Sequence, residues 1–110
     1  MANEIFAPDK TAAYYDDASI SRFYEQCWGG ADIHIGRYET GAESVADAST
    51  AMTQHLLGLA GLRAGDRVLD IACGYGGTLR TLARLGCKVT GIDISEHCVE
   101  RARAGNAEAG

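Results

Sequence analysis

The sequence predicts an α/β fold, on three observations. Val68-Leu69-Asp70-Ile71 is a short run rich in strand formers, and it gives way to a cluster of glycines, Gly74, Gly76 and Gly77. Beyond the glycines, Leu79, Leu82 and Ala83 recur at helical spacing, with Arg80 and Arg84 on the other face. A second strand-like run, from about Cys87 to Ile92, then delivers Asp93. Strand, glycine turn, helix, strand is a βαβ unit, and a crossover through a helix makes its two strands parallel.

The other elements follow in chain order. Met1 to Pro8 reads as a loose arm. A helix is expected from Asp9 to Tyr15, capped by Asp9 or Thr11, with Tyr14 and Tyr15 riding on it. Ser19 is placed to cap a second helix, because Ile20, Phe23, Tyr24 and Cys27 fall at i, i+3, i+4 and i+7. Trp28 follows, and Gly29-Gly30 stops that helix. Ala31 to Gly41 is expected to be a loop. Ser44 or Asp47 opens a longer helix to about Leu59, with Val45, Ala48, Met52, Leu56 and Leu59 as its apolar face and Gly61 as its end. Leu62 to Gly65 links to the first strand. Gly86 sits where a C-cap glycine belongs. Ser95 caps a last helix with Cys98, Val99 and Ala102 inward, and the small, polar tail from Gly105 to Gly110 is expected to fray.

The glycine turn and the acidic tip fall at the carboxyl ends of neighbouring parallel strands, where open α/β sheets bind ligands. Glycines there let the main chain approach a ligand closely. Asp93 lies 19 positions after Gly74, near the spacing of about 20 at which an acidic residue meets ribose hydroxyls in nucleotide-binding units. A dinucleotide fingerprint needs a third glycine or alanine where this chain has Leu79, and a P-loop needs Gly-Lys-Ser/Thr, which is absent. The pattern therefore suits an adenosine without a pyrophosphate.

Val68-Leu69-Asp70-Ile71-Ala72-Cys73-Gly74-Tyr75-Gly76-Gly77 resembles the first motif of the class I S-adenosylmethionine-dependent methyltransferases, and Asp93 resembles the acidic residue closing their second strand. The likeness covers roughly a quarter of the chain. It implies a Rossmann-like, seven-stranded, mostly parallel sheet, of which this chain would be the N-terminal part: N-terminal helices, one βαβ unit and the following helix. It also implies S-adenosylmethionine as cofactor, with contacts from Asp70, Ala72, Gly74, Gly76, Asp93 and Ile94. Asp70 either reaches the cofactor's amino group or binds the backbone amides of the glycine turn.

Tyr24-Glu25-Gln26-Cys27-Trp28-Gly29-Gly30-Ala31-Asp32-Ile33-His34-Ile35-Gly36 resembles the N-terminal segment of the sarcosine/dimethylglycine N-methyltransferases. More distantly it is similar to phosphoethanolamine methyltransferases and cyclopropane fatty acid synthases. In those relatives N-terminal helices form a lid over the cofactor. The resemblance implies cofactor contacts from Ile33, His34 and Trp28 and from a closing tyrosine, Tyr15 or Tyr14. Trp28 as a core residue and His34 as a structural histidine are the plain alternatives. Residues 1–61 are thus expected to be a lid segment, and 62–110 the first part of the cofactor domain. The implied activity is N-methylation of a small amine such as sarcosine or dimethylglycine, as in glycine betaine synthesis, with Arg37 as a carboxylate-binding candidate. The alternatives are a methyltransferase of the same fold acting on carbon or lipid, and an inactive folding or assembly module.

Composition bounds these readings. A net charge of −5 argues against nucleic acid as the main partner. No stretch has the apolar length of a membrane span, and no basic segment followed by an apolar run marks a signal peptide. Cys27, Cys73, Cys87 and Cys98 form no C-x-x-C pair, which fits a reduced, cytoplasmic chain. No His or carboxylate set has metal spacing, His55 and His97 read as surface residues, and Cys73 as a small apolar filler. No acid–base pair stands out, so the catalytic residues stay unassigned. Two strands alone do not make a stable sheet, so self-association, or cover from the remainder of the same protein, is expected.

Overall fold

The computed structural model describes residues 7–110. Strands β1 (Arg67–Ile71) and β2 (Lys88–Ile92) pair in parallel, with Val68 opposite Val89 and Asp70 opposite Gly91. The pairing continues past both ends, where Lys88 N–H donates to Asp66 O (2.7 Å) and Cys73 N–H to Ile92 O (3.0 Å). Helix α4 (Gly77–Arg84) makes the crossover and buries Leu79 and Leu82. Gly91 permits this packing: a Cβ there would overlap the Leu79 side chain and stand 2.9 Å from Cys73 Sγ. Gly86, in the left-handed region at φ 86°, ends the crossover as expected.

Helix α5 (Glu96–Ala109) packs against α4 and buries Cys98 and Ala102. Ser95 caps it, its hydroxyl accepting from Cys98 N–H at 3.1 Å. The tail expected to fray is helical to Ala109. The reason is Arg80, whose guanidinium crosses from α4 and donates to Tyr75 O (2.9 Å) and Asn106 Oδ1 (3.3 Å). Gly105 leaves room for that side chain. On the opposite face of the sheet Leu69, Ile71 and Ile92 are exposed.

The expected loose arm lies outside the described residues as far as position 6, and Pro8 opens α1 (Pro8–Asp16). Neither Asp9 nor Thr11 caps α1: the proline, with its preset φ and no N–H, starts the helix instead. Asp17, not Ser19, caps α2 (Ala18–Phe23), accepting from Ser19 N–H (2.8 Å) and Ile20 N–H (3.3 Å). The chain then widens into a π-helical turn, Tyr24–Trp28, and stops at Gly29 with φ 107°. An i→i+5 turn shifts the register, so Cys27, expected on the inner face, is exposed.

The following loop is knotted by Glu43, whose carboxylate accepts from the amides of Thr40 (2.9 Å), Gly41 (2.9 Å) and Glu39 (3.0 Å). These bonds hold its pKa down to about 2. Ser44 caps α3 (Val45–Ala60), and Gly61 ends it in the left-handed region. The packed stripe of α3 is small and polar: Ala48, Ser49 and Thr53 are buried, whereas Leu56 and Leu59 of the expected apolar face are exposed. The loop backbone at Gly36 lies directly on Ala48, which leaves no room for larger side chains. Among the described residues no helix is long and apolar enough to cross a membrane, and no cluster of His, Cys, Asp or Glu could hold a metal.

Candidate functional site

A cleft of about 710 Å³ opens where β1 and β2 end. One wall comes from the βαβ unit and is formed by Asp70, Ala72, Cys73, Gly74, Thr78, Asp93 and Ile94. The other comes from the N-terminal segment and is formed by Tyr15, Tyr24, Trp28, Asp32, Ile33 and His34, with Met52 and Leu56 of α3 behind them. Nine of the ten residues expected at the site line this cleft. The exception is Gly76, which faces away: a Cβ there would stand 3.1 Å from Ala102 Cβ and 3.0 Å from Arg80 Nη1. Its glycine serves the α4–α5 packing and a φ of 80°.

The βαβ wall is held by its own backbone. Asp93 Oδ2 accepts from Gly74 N–H and Oδ1 from Ser95 N–H, both at 2.8 Å. The carboxylate is thereby fixed between the glycine turn and the start of α5, with its remaining lone pairs unspent. Ala72 is in the left-handed region at φ 62°, an unusual conformation for a residue with a Cβ. Because Asp93 takes the Gly74 amide, Asp70 is not the group that binds it. Burial, reinforced by the nearby Asp32 and Asp93 carboxylates, pushes the Asp70 pKa up. The Cys73 thiol is also pushed up, chiefly by burial, which disfavours the thiolate.

The N-terminal wall is aromatic. Tyr15 stacks on Tyr24 with ring centroids 6.2 Å apart, and Tyr24 meets Trp28 edge-on at 5.6 Å. Burial first, then Tyr14, pushes the Tyr24 phenol up to about 12. Of the two candidate tyrosines, Tyr15 lines the cleft and Tyr14 lies exposed. The Trp28 indole N–H donates to His34 O at 3.0 Å. Ile33 lies over Gly74, with its Cγ1 3.2 Å from where a Cβ would be. His34 reaches Thr53 Oγ1 through Nε2 (2.9 Å) and Ile35 O through Nδ1 (3.1 Å). Arg37 is not in the cleft: it pairs with Glu39 at 3.2 Å, and its amide donates to Ala48 O.

Two polar attachments hold this wall in place, and neither was legible in the sequence. At one, Ala31 O accepts from Gly77 N–H (3.1 Å) and Asp32 Oδ1 from the Thr78 hydroxyl (3.3 Å), so the loop caps the first turn of α4. At the other, Asp16 Oδ1 accepts from the Ser95 hydroxyl (2.6 Å) and from His97 N–H (3.0 Å), capping α5 from a distant helix. His97, expected at the surface, is instead 2.6 Å from Ser21 Oγ, while Glu25 pairs with Arg101 at 3.1 Å. Elsewhere on this wall, Ser49 and Thr53, one helical turn apart on α3, reach His34: the Ser49 hydroxyl donates to His34 O at 3.3 Å, and Thr53 Oγ1 meets Nε2 at 2.9 Å. A second cleft, of about 440 Å³, lies between α4 and α5, shares only Cys73 with the first and contains none of the expected site residues.

Known proteins resemble this chain in sequence and in fold. Residues 68–110 match the family model described as "Methyltransferase domain". The chain is 44% identical over 110 residues to the dimethylglycine N-methyltransferase of Parasynechococcus marenigrum, covering 98% of this chain and 39% of that protein. A solved structure from Galdieria sulphuraria, assigned as a sarcosine dimethylglycine methyltransferase, superposes with a TM-score of 0.73 at 34% identity, covering 88% of this chain and 38% of that one. The cyclopropane synthase MmaA2 of Mycobacterium tuberculosis superposes with a TM-score of 0.80 at 25% identity, covering 96% and 38%. The chain thus spans less than two fifths of the length of each of these relatives.

Proposed function

Because the chain belongs to the class I S-adenosylmethionine-dependent methyltransferase family, we propose that it forms the cofactor-binding part of an N-methyltransferase acting on a small amine such as sarcosine or dimethylglycine. The observation that carries the reading is the Asp93 carboxylate, pinned by Gly74 and Ser95 on the edge of the cleft. A fixed carboxylate with spare lone pairs suits the two hydroxyls of a ribose. The carboxylates of Asp32, Asp70 and Asp93 give the cleft a negative field suited to a cationic ligand. Bound there, the cofactor would supply an activated methyl group on a sulfonium.

In this reading residues 62–110 bind the cofactor and residues 1–61 form a lid over it. Ile33 covers the glycine turn, Tyr15 and Trp28 close the aromatic side, and Ala72 and Ile94 complete the floor. The protein's contribution is to align donor and acceptor and to exclude water, which can be worth roughly 7–11 kcal/mol. A neutral amine needs no base to displace a sulfonium. The four unpaired cysteines fit a reducing, cytoplasmic setting. The exposed Leu69, Ile71 and Ile92 would be covered by a second copy or by further chain.

A second reading, methyl transfer to carbon or lipid, is favoured by the apolar α3 wall of Met52 and Leu56 and by the likeness to a cyclopropane synthase. Calorimetry with S-adenosylmethionine and with NAD tests the cofactor assignment: binding of the first alone is expected, and binding of neither would leave an assembly module. Methyl-transfer assays with dimethylglycine and with an unsaturated lipid separate the two acceptors.

A further inference from the structure

Thr53 lies midway along α3 and is 3% exposed, yet three polar groups surround its one hydroxyl. His34 Nε2 stands 2.9 Å away, Asp32 Oδ2 3.4 Å and Thr78 Oγ1 3.5 Å. A hydroxyl has a single proton to donate. The far side of the imidazole decides where it goes. His34 Nδ1 is 3.1 Å from the carbonyl oxygen of Ile35, and a carbonyl only accepts, so the proton of the neutral ring sits on Nδ1. Nε2 then carries the lone pair, and Thr53 donates to it. Asp32 offers the longer contact: its Oδ2 is 3.4 Å from the Thr53 hydroxyl, while its Oδ1 accepts from Thr78 at 3.3 Å and lies 3.8 Å from His34 Nε2. Both ring nitrogens are therefore engaged, although 38% of the His34 side chain remains exposed, on the cleft.

We infer that Thr53 is a positioning residue for His34. It holds the neutral form of the imidazole as the Nδ1–H tautomer, so that Nε2 is engaged by Thr53 and the ring stands in a fixed orientation on the cleft. What the wall faces rests on the function proposed above; the tautomer does not.

Ring 15N shifts in long-range 1H–15N spectra, recorded on the chain well above the histidine range, distinguish the tautomers, with exposed His55 as internal reference. The wild-type chain is expected to show His34 protonated on Nδ1. Thr53→Ser should keep that signature and bind S-adenosylmethionine within about twofold of wild type. Thr53→Val should lose it and bind about two- to tenfold more weakly, the loss of one hydrogen bond. A role in packing alone would lower the melting temperature of either variant without moving the tautomer. An Nε2–H ring in the wild-type chain would overturn the inference, and so would a Thr53→Val chain unchanged in both spectrum and affinity. If the wild-type chain binds no S-adenosylmethionine, the functional reading fails, and the ring spectrum alone decides the role of Thr53.

Discussion

The two walls of the cleft are built on different physics. In the βαβ wall, the groups that matter bind one another over short stretches of chain: Gly76 N–H to Cys73 O, Ser95 N–H to Asp93, Cys73 N–H to Ile92 across the strand pair. The conformation follows from glycines at positive φ and from strand register, so it is encoded where it is used. The N-terminal wall packs its own aromatic rings together, but α1 buries no residue completely. Its position comes from contacts between residues 76 to 81 positions apart, Ser21 with His97 and Asp16 with Ser95 and His97, and from Asp32 on α4. A wall fixed by its own turn suits invariant parts of a ligand, whereas a wall hung on polar contacts can move. Under the proposed function that division separates cofactor floor from lid.

The comparison breaks most severely at Gly77, where the walls touch. A Cβ there would overlap the Asp32 carboxylate and stand 2.5 Å from Ala31 O. Gly77→Ala should cost about 1–3 kcal/mol by overpacking and detach the loop while leaving β1 and β2 paired. Hydrogen exchange should show lost protection across 20–38 with the strands unchanged; equal loss in both would make the walls one unit.

Asp93→Ala comes next. It removes the acceptor for two backbone amides and the proposed ribose ligand, and should weaken S-adenosylmethionine binding by about 1.5–3 kcal/mol. Calorimetry with unchanged affinity would remove Asp93 from the site. Ser95→Ala addresses the other attachment. The serine is wholly buried, caps α5 and meets Asp16, so its loss should cost about 1 kcal/mol. Exchange should quicken in α1 and α2 more than in α4. If cofactor then restores protection there, the segment acts as a lid; equal rates with and without cofactor would make it ordinary core.

The smallest effect is expected at Asp70. Its folded-state pKa is raised by burial and by the neighbouring carboxylates. Stability from such a group is fully present below the unfolded pKa and is lost as pH rises through the folded value. Asp70→Asn should therefore raise the melting temperature slightly at neutral pH, and the gain should vanish in acid. A loss of stability at neutral pH would mean that Asp70 answers a cation the other contacts do not reveal.

Nine of the eighteen residues lining the cleft were expected, those of its N-terminal wall only through a family resemblance. The sequence by itself determined the βαβ unit, its glycine turn, the acidic tip and the Ser95 cap. These are governed by period, by φ and by spacing within some thirty positions, all of which are properties of contiguous chain. Only the tertiary structure decided which face of α3 packs, that Gly76 serves α5 and not a ligand, that Tyr15 rather than Tyr14 faces inward, and that α5 continues to Ala109. It also placed Asp32, Thr53 and His97. Each of those outcomes depends on what another element brings to the same point: a glycine backbone lying on Ala48, a π-helical turn rotating the aromatic face, an arginine crossing from α4. A hydroxyl in mid-helix or a histidine at a helix start has no period to betray its partner. Its partner is chosen by the packing of segments that sequence spacing does not bring together.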